Sequence, residues 1–258
     1  MGAQPIGVEA LGVAFLLVSV VIAISRGLGL GLERQLLVGA ARTLVQLSLV
    51  GYLLGWVFQA SVWYWTPLLL GGMLAAGVHT AGSRTAHSVP GSLGRLALAM
   101  GVGSLLVLLI VIFAILQPDP WFSARETVPI FGMILGNSMI AASLAMERYG
   151  ADLKARRGEV EAALSLGLPV RQAAASIFRG AIQAALTPSI SSMMVVGVVQ
   201  LPGMMTGQLL AGADPTQAVR YQIVVMYMTT SAAGITAALT VLLCERGCFT
   251  RAHQFAVE

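Results

Sequence analysis

The feature that most constrains this chain is a succession of apolar runs, each about as long as a bilayer is thick. A membrane-crossing helix needs about 20 consecutive, mostly apolar residues. Runs of that kind cover residues 6–25, 36–58, 66–80, 96–116, 128–146, 181–201 and 221–243, the third being the shortest. Only 10% of the 258 residues are charged and the mean hydropathy is +0.84, whereas soluble domains carry about 25% charge. The expectation is an all-α, polytopic transmembrane helical bundle of about seven spans, forming one domain over residues 1–258. The first run has no basic segment ahead of it, so it reads as a retained span rather than a cleaved signal.

The links between runs fit this picture. GLGLGLERQ (residues 27–35) is a Gly-rich bend into the second span, and Trp56, Trp63, Tyr64 and Trp65 form an interfacial aromatic cluster. Residues 82–95 make a polar connector with Arg84, His87 and Pro90, and Gln117-Pro118-Asp119-Pro120-Trp121 closes the fourth span as a rigid turn. No internal repeat is visible, which disfavours transporter folds built from inverted repeats.

Charge gives the orientation. With the N-terminus outside, the inner segments hold Arg26, Arg34, Arg84, Arg95, Arg148, Lys154, Arg156, Arg157, Arg171, Arg179, Arg246 and Arg251, which are 12 of the 15 basic residues. Arg125 and Arg220 fall outside, and Arg42 lies within a span. Such a positive-inside bias puts the C-terminus and residues 156–180 in the cytoplasm. The same topology accounts for the pI near 9.5. The basic residues are dispersed and form no patch interleaved with aromatics, so nucleic acid is not an expected partner.

Several chemistries are excluded. The single lysine, Lys154, follows Leu153, so the Gly-Lys-Ser/Thr of a phosphate-binding loop is missing. The chain is not expected to be an enzyme or to hold a cofactor. Were its transport driven by ATP, ATP and Mg would be bound by another polypeptide. His79, His87 and His253 have no partners at metal or triad spacing. Cys244 and Cys248 follow the last run. A disulfide between them is not expected on the cytoplasmic side, and a pair without neighbouring His is a weak metal signal.

Polar residues inside spans are costly and mark either helix contacts or a pathway. In the second span, Arg42 and Gln46 lie one turn apart on one face. In the fifth, Gly132 and Gly136 form a small-xxx-small pair that permits close packing, Asn137 lies near mid-membrane, and Glu147 sits at the cytoplasmic edge, where it would pair with Arg148 or a neighbour. The sixth span carries Gln183, Thr187, Ser191 and Met194 at helical spacing, with Pro188 as a kink. The seventh carries Gln222 and Met226 in the same manner. These residues suggest the walls of a polar path, and equally suit packing faces of small residues. Between the last two spans, QLPGMMTGQLLAGADP (residues 200–215) fits a re-entrant or gate loop, with Pro202, Gly203 and Gly207 as its critical positions. The 12 methionines read chiefly as adaptable packing.

The densest charge lies at residues 156–180, RRGEVEAALSLGLPVRQAAASIFRG. Glu, Ala and Leu favour a short helix over residues 159–166. Gly167 suits a left-handed cap and Pro169 cannot continue the helix. The spacing of Glu161, Ala162, Ala163, Gly167 and Ile177 resembles the coupling motif of ABC-transporter permeases, except that Arg179-Gly180 stands where Leu-Pro commonly ends it. Together with ARTLVQLSLVGYLLG (41–55), PIFGMILGNSM (129–139) and LPGMMTGQLLAGADPTQAVRYQI (201–223), it resembles the FetB-type permeases. These are ABC-transporter membrane subunits regarded as iron exporters and related to plant aluminium-tolerance permeases. The resemblance implies a permease homodimer in the cell (inner) membrane, docked through Glu161, Ala162, Ala163 and Gly167 to a cytoplasmic ABC ATPase subunit. It also implies metal export. Carboxylates are nearly absent from the spans, so a metal's ligands are not assigned. Either Glu147, Asn137 and thioethers assemble at the dimer seam, or the substrate is a complexed or organic solute. A non-transporting membrane scaffold is the rival of another class.

Overall fold

The structure, a computed structural model, describes residues 7–60, 63–85 and 92–249. His87 and Pro90 of the connector, and Arg251 and His253, lie outside the described residues. The chain is helical: α1 (Val8–Gly27), α2 (Glu33–Ala60), α3 (Trp65–Thr85), α4 (Ser92–Ile110), α5 (Ala124–Ala155), α6 (Arg157–Ser165), α7 (Val170–Ala173), α8 (Ala175–Val195), α9 (Gly203–Leu210) and α10 (Pro215–Cys248). The end of α4 widens into a π-helical turn, Val111–Leu116, closed where the Gln117 amide donates to the Ile112 carbonyl at 2.9 Å.

Each of the seven apolar runs lies largely within a helix, with three differences. α5 and α10 have 32 and 34 residues, roughly 48 and 51 Å at 1.5 Å per residue, well beyond a ~30 Å hydrocarbon core. α5 continues because Glu147-Arg148 and Ala151-Asp152-Leu153-Lys154 are compatible with helix, and Arg148 bonds Asp152 at 2.9 Å one turn on. α8 starts six residues early and stops at Val195. The chain turns there, with Gly197 at φ +83° and its amide donating to the Gln200 carbonyl at 2.9 Å. Among the described residues, five helices are long and apolar enough to cross a membrane: α1, α2, α4 with its π-helical turn, α5 and α10. The 21-residue α3 and α8 are long enough, and their Gly, Thr, Ser, Gln and His content dilutes the apolar surface.

The chain divides into two compact units, Met1–Val62 with Leu210–Gly212, and Trp63–Leu209 with Ala213–Glu258. In the first, α1 and α2 are joined by a bend in which Gly29 and Gly31 take positive φ. Ser25 clamps it, donating to Glu33 Oε1 at 3.1 Å and accepting from the Leu32 amide at 3.2 Å. Most apolar side chains of both helices are exposed, as suits surfaces facing lipid or another helix.

In the second unit α5 and α10 form the centre. One core joins Met100 and Val111 of α4 and its continuation to Phe131 and Ile134 of α5 and Met228 of α10. The other joins Met146 and Tyr149 of α5, Val160 of α6, Ile177 and Ala181 of α8, and Ala237, Val241 and Cys244 of α10. The Gly132/Gly136 pair is not a close helix contact: a side chain at Gly136 would meet nothing within 4 Å, and one at Gly132 only the flexible end of Met73. α10 comes close at Gly103 of α4, where a Cβ would overlap Thr236 Oγ1 and stand 3.2 Å from the Thr236 amide nitrogen.

Candidate functional site

Two arrangements bring sequence-predicted residues together. The first is the α5–α8 corner. Arg156 ends α5 and precedes α6, and its guanidinium grips Glu159 at 2.6 and 2.9 Å and Ser176 Oγ at 3.0 Å. The Glu159 hydrogen bond and charge raise the Arg156 pKa further. α6 turns Val160 inward, 2% exposed, and leaves Glu161 and Ala162 on its outer face. Its end is a Schellman cap: the Gly167 amide donates to the Leu164 carbonyl at 2.9 Å and the Leu168 amide to Ala163 at 3.2 Å. Gly167 is at φ +86°, the left-handed conformation that favours glycine. Pro169 then precedes α7. Ile177, the far residue of the motif, is buried in the core and fastens the corner to the bundle.

Two details differ from the sequence reading. The Glu161 carboxylate already has an ionic partner, Arg157 Nε at 2.7 Å in its own helix. Leu166, which sequence reasoning passed over, is 82% exposed at the tip of the corner. The signal was present, since an apolar residue just before a capping glycine in a charged stretch has no core to enter.

The second arrangement is a cavity of about 450 Å³ between the end of α8, the α8–α9 turn and the first half of α10. Gln222 and Met226 line it with Met193, Gly197, Met205 and Tyr227. Gln222 is 5% exposed and its Oε1 is buried without a protein partner, which leaves a strong acceptor beside the cavity. Thr230 Oγ1 donates to Met193 Sδ at 3.0 Å. The segment expected to form a gate contributes a two-turn helix, α9, begun by the Pro202 carbonyl, which accepts from the Thr206 amide at 3.0 Å. Gly203 and Gly207 are exposed and neither has a positive φ, and a Cβ at either position would meet no atom within 4 Å. The positive φ values of this region are at Gly197 and Gly212, +83° and +86°.

The other residues expected to line a path are not gathered here. On α8, Gln183, Thr187, Ser191 and Met194 are exposed, Met194 at 80%, because α8 packs through Ile177, Ala181 and Ala185 on its other side. The α8 and α10 stripes therefore do not face one another within this chain. Asn137 bonds its own helix, donating to the Met133 carbonyl at 3.0 Å, rather than a neighbour. Glu147 is exposed and does not pair with Arg148, which turns to Asp152. Arg42 and Gln46 are exposed on α2, in the first unit. Among the described residues, no three of His, Cys, Asp and Glu converge as metal ligands. Cys244 and Cys248 belong to α10 itself, free and buried, and burial pushes the Cys248 thiol, beyond the apolar span, up to about 12.

Comparison with known proteins follows the same lines. Residues 8–249 match the uncharacterised protein family UPF0014. A UPF0014 membrane protein of Synechocystis is 41% identical over 212 residues, 82% of each chain. The probable iron export permease protein FetB of Escherichia coli is 33% identical over all of this chain and 98% of its own. The protein ALUMINUM SENSITIVE 3 of Arabidopsis thaliana is 32% identical over 93% of this chain and 87% of its own. No solved structure matches. A helical fold with five apolar helices of membrane-crossing length among the described residues, and a family match over nearly the whole length, lead to one conclusion: the chain belongs to the UPF0014 family of membrane proteins.

Proposed function

We propose that this chain is the permease subunit of an ABC exporter that moves iron or a related metal out across the cell's inner membrane. A separate cytoplasmic ATPase, which binds ATP and Mg, drives it, and two copies of the permease make up the membrane part. The observation that carries this reading is the α6 corner. It is a short helix rigidly capped at Gly167, anchored by Val160 and Ile177, with Ala162 and Leu166 facing away from the bundle. Such a corner suits a groove on a partner, and Leu166 is its apolar anchor. The full-length similarity to a protein named a probable iron export permease supports both the direction and the cargo. In a homodimer the exposed stripe Gln183–Met194 of α8 and the cavity at Gln222 and Met226 would border the seam where substrate passes. The N-terminus lies outside and the α6 corner in the cytoplasm, in keeping with the basic residues.

The cavity lining favours a second reading of the cargo. Thioethers, a tyrosine ring and one amide surround a volume suited to a small organic solute or a complexed ion, while bare Fe(II) prefers carboxylate and imidazole. Metal content separates these readings. Cells expressing this chain with its ATPase should hold less iron than cells carrying a hydrolysis-dead ATPase. Unchanged iron alongside permease-dependent ATP hydrolysis would favour the organic solute, and no dependence of hydrolysis on this chain would leave a scaffold.

A further inference from the structure

Where α5 and α10 meet near the α6 corner, sulfur collects. Cys244 and Cys248 are four residues apart on α10, so their side chains leave one face a turn apart. Both are fully buried and free. Across from them on α5 is Met146, also fully buried, with its Sδ 3.9 Å from Cys244 Sγ. Tyr149, one turn beyond Met146, is 1% exposed with its hydroxyl buried and unpartnered, and it lies within electrostatic range of both thiols and Glu245. Arg95 of α4 approaches from the third side, within range of both cysteines. Its Nη1 is buried without a protein partner, and the guanidinium occupies the space that a side chain at Gly247 would fill.

Packing of soft side chains accounts for one thiol–thioether contact. It does not account for a second thiol, an orphaned hydroxyl and an orphaned guanidinium nitrogen at the same place. Two sulfurs bound to one ion at about 2.3 Å each stand roughly 3.8–4.0 Å apart at tetrahedral to trigonal angles, the separation between Met146 Sδ and Cys244 Sγ. Thiolate and thioether together select soft ions, Cu(I) above all. Binding releases the two thiol protons, and the Arg95 guanidinium, within range of both cysteines, supplies a positive counter-charge to the thiolates.

We propose that Cys244, Cys248 and Met146 form a binding site for a soft monovalent cation of the Cu(I) class, with Arg95 as its counter-charge. The site is separate from the cavity at Gln222 and does not depend on what the chain transports. The test uses the full chain in detergent, reduced and without oxygen, titrated with Cu(I) against bicinchoninate. One Cu(I) per chain should resist the chelator. Met146→Leu, which keeps the volume, should weaken retention about tenfold, and Cys244→Ser with Cys248→Ser should abolish it. X-ray absorption of the copper-loaded wild type should show sulfur neighbours only. That measurement decides the matter even if the serine variant fails to fold. Absence of chelator-resistant Cu(I), its retention by a normally folded serine variant, or a nitrogen or oxygen shell would each overturn the proposal.

Discussion

Gly103 should resist replacement because it meets the backbone of α10 as well as a side chain. A methyl group there overlaps Thr236 Oγ1 and stands 3.2 and 3.3 Å from the Thr236 amide nitrogen and Cα. The hydroxyl can rotate away, but the backbone atoms cannot, and Thr236 is fully buried. The helices must separate by a few tenths of an ångström, and overpacking of this kind costs about 1–3 kcal/mol. Gly101, two residues earlier, is the matched control. A methyl there meets only Leu74 Cδ2 at 3.6 Å, an ordinary contact. Both Gly→Ala changes gain the same helix propensity, about 0.8–1 kcal/mol, so it cancels in the comparison. Gly101→Ala should therefore be more stable than Gly103→Ala by about 1–3 kcal/mol, read as unfolding in detergent followed by tryptophan fluorescence. Adding Thr236→Ala should recover only the part due to the hydroxyl. Equal stability of the two alanine variants would refute the close approach.

Other expectations rest on single features. Gly197→Ala forces a side chain into the left-handed region and should destabilise the α8–α9 turn by about 1–2 kcal/mol, whereas Gly203→Ala, in open space, should leave stability and transport near wild type; thermal midpoints and efflux rates of the pair check this. Glu161→Ala removes an exposed ion pair with Arg157, so permease stability should change by less than about 1 kcal/mol; a larger fall in detergent unfolding would assign Glu161 a role in holding α6. Reporter fusions after Trp121 and Gly212 should read outside and those after Arg157 and Gly247 inside; an inside reading at Gly212 would break the seven-span topology.

Much of this was legible because it is local. Apolar runs mark helices in lipid, and Ala, Glu and Leu followed by Gly167 and Pro169 mark a capped helix; none of this needs a neighbour. The failures are tertiary. VVGVVQL reads as more span, yet Gly197 uses its positive φ to end α8. The α8 and α10 stripes look alike in sequence, but which one is buried depends on where Ala181 and Ala185 find partners. Gly103 sits in an ordinary apolar run, and only the crossing with Thr236 gives it importance. Met146 and Cys244 are 98 residues apart, beyond any spacing rule. Around the loop at residues 200–215 the positive φ values fall at Gly197 and Gly212 rather than at Gly203 or Gly207, because the turns, not the helix α9 between them, need the left-handed conformation.

The most direct test of the account is whether the tip of α6 holds an ATPase. Wild-type chain purified in detergent should retain a co-expressed cytoplasmic ABC ATPase and stimulate its hydrolysis in liposomes. Leu166→Asp leaves the backbone as it is and removes the apolar anchor, a loss of about 1–3 kcal/mol, or roughly 5- to 150-fold in affinity. Gly167→Glu adds a charge and backbone strain at φ +86° and should abolish retention while the permease still reaches the membrane. Retention and stimulation at wild-type levels in both variants would contradict the docking role of α6, and with it the reading of this chain as an ATPase-driven permease through that corner.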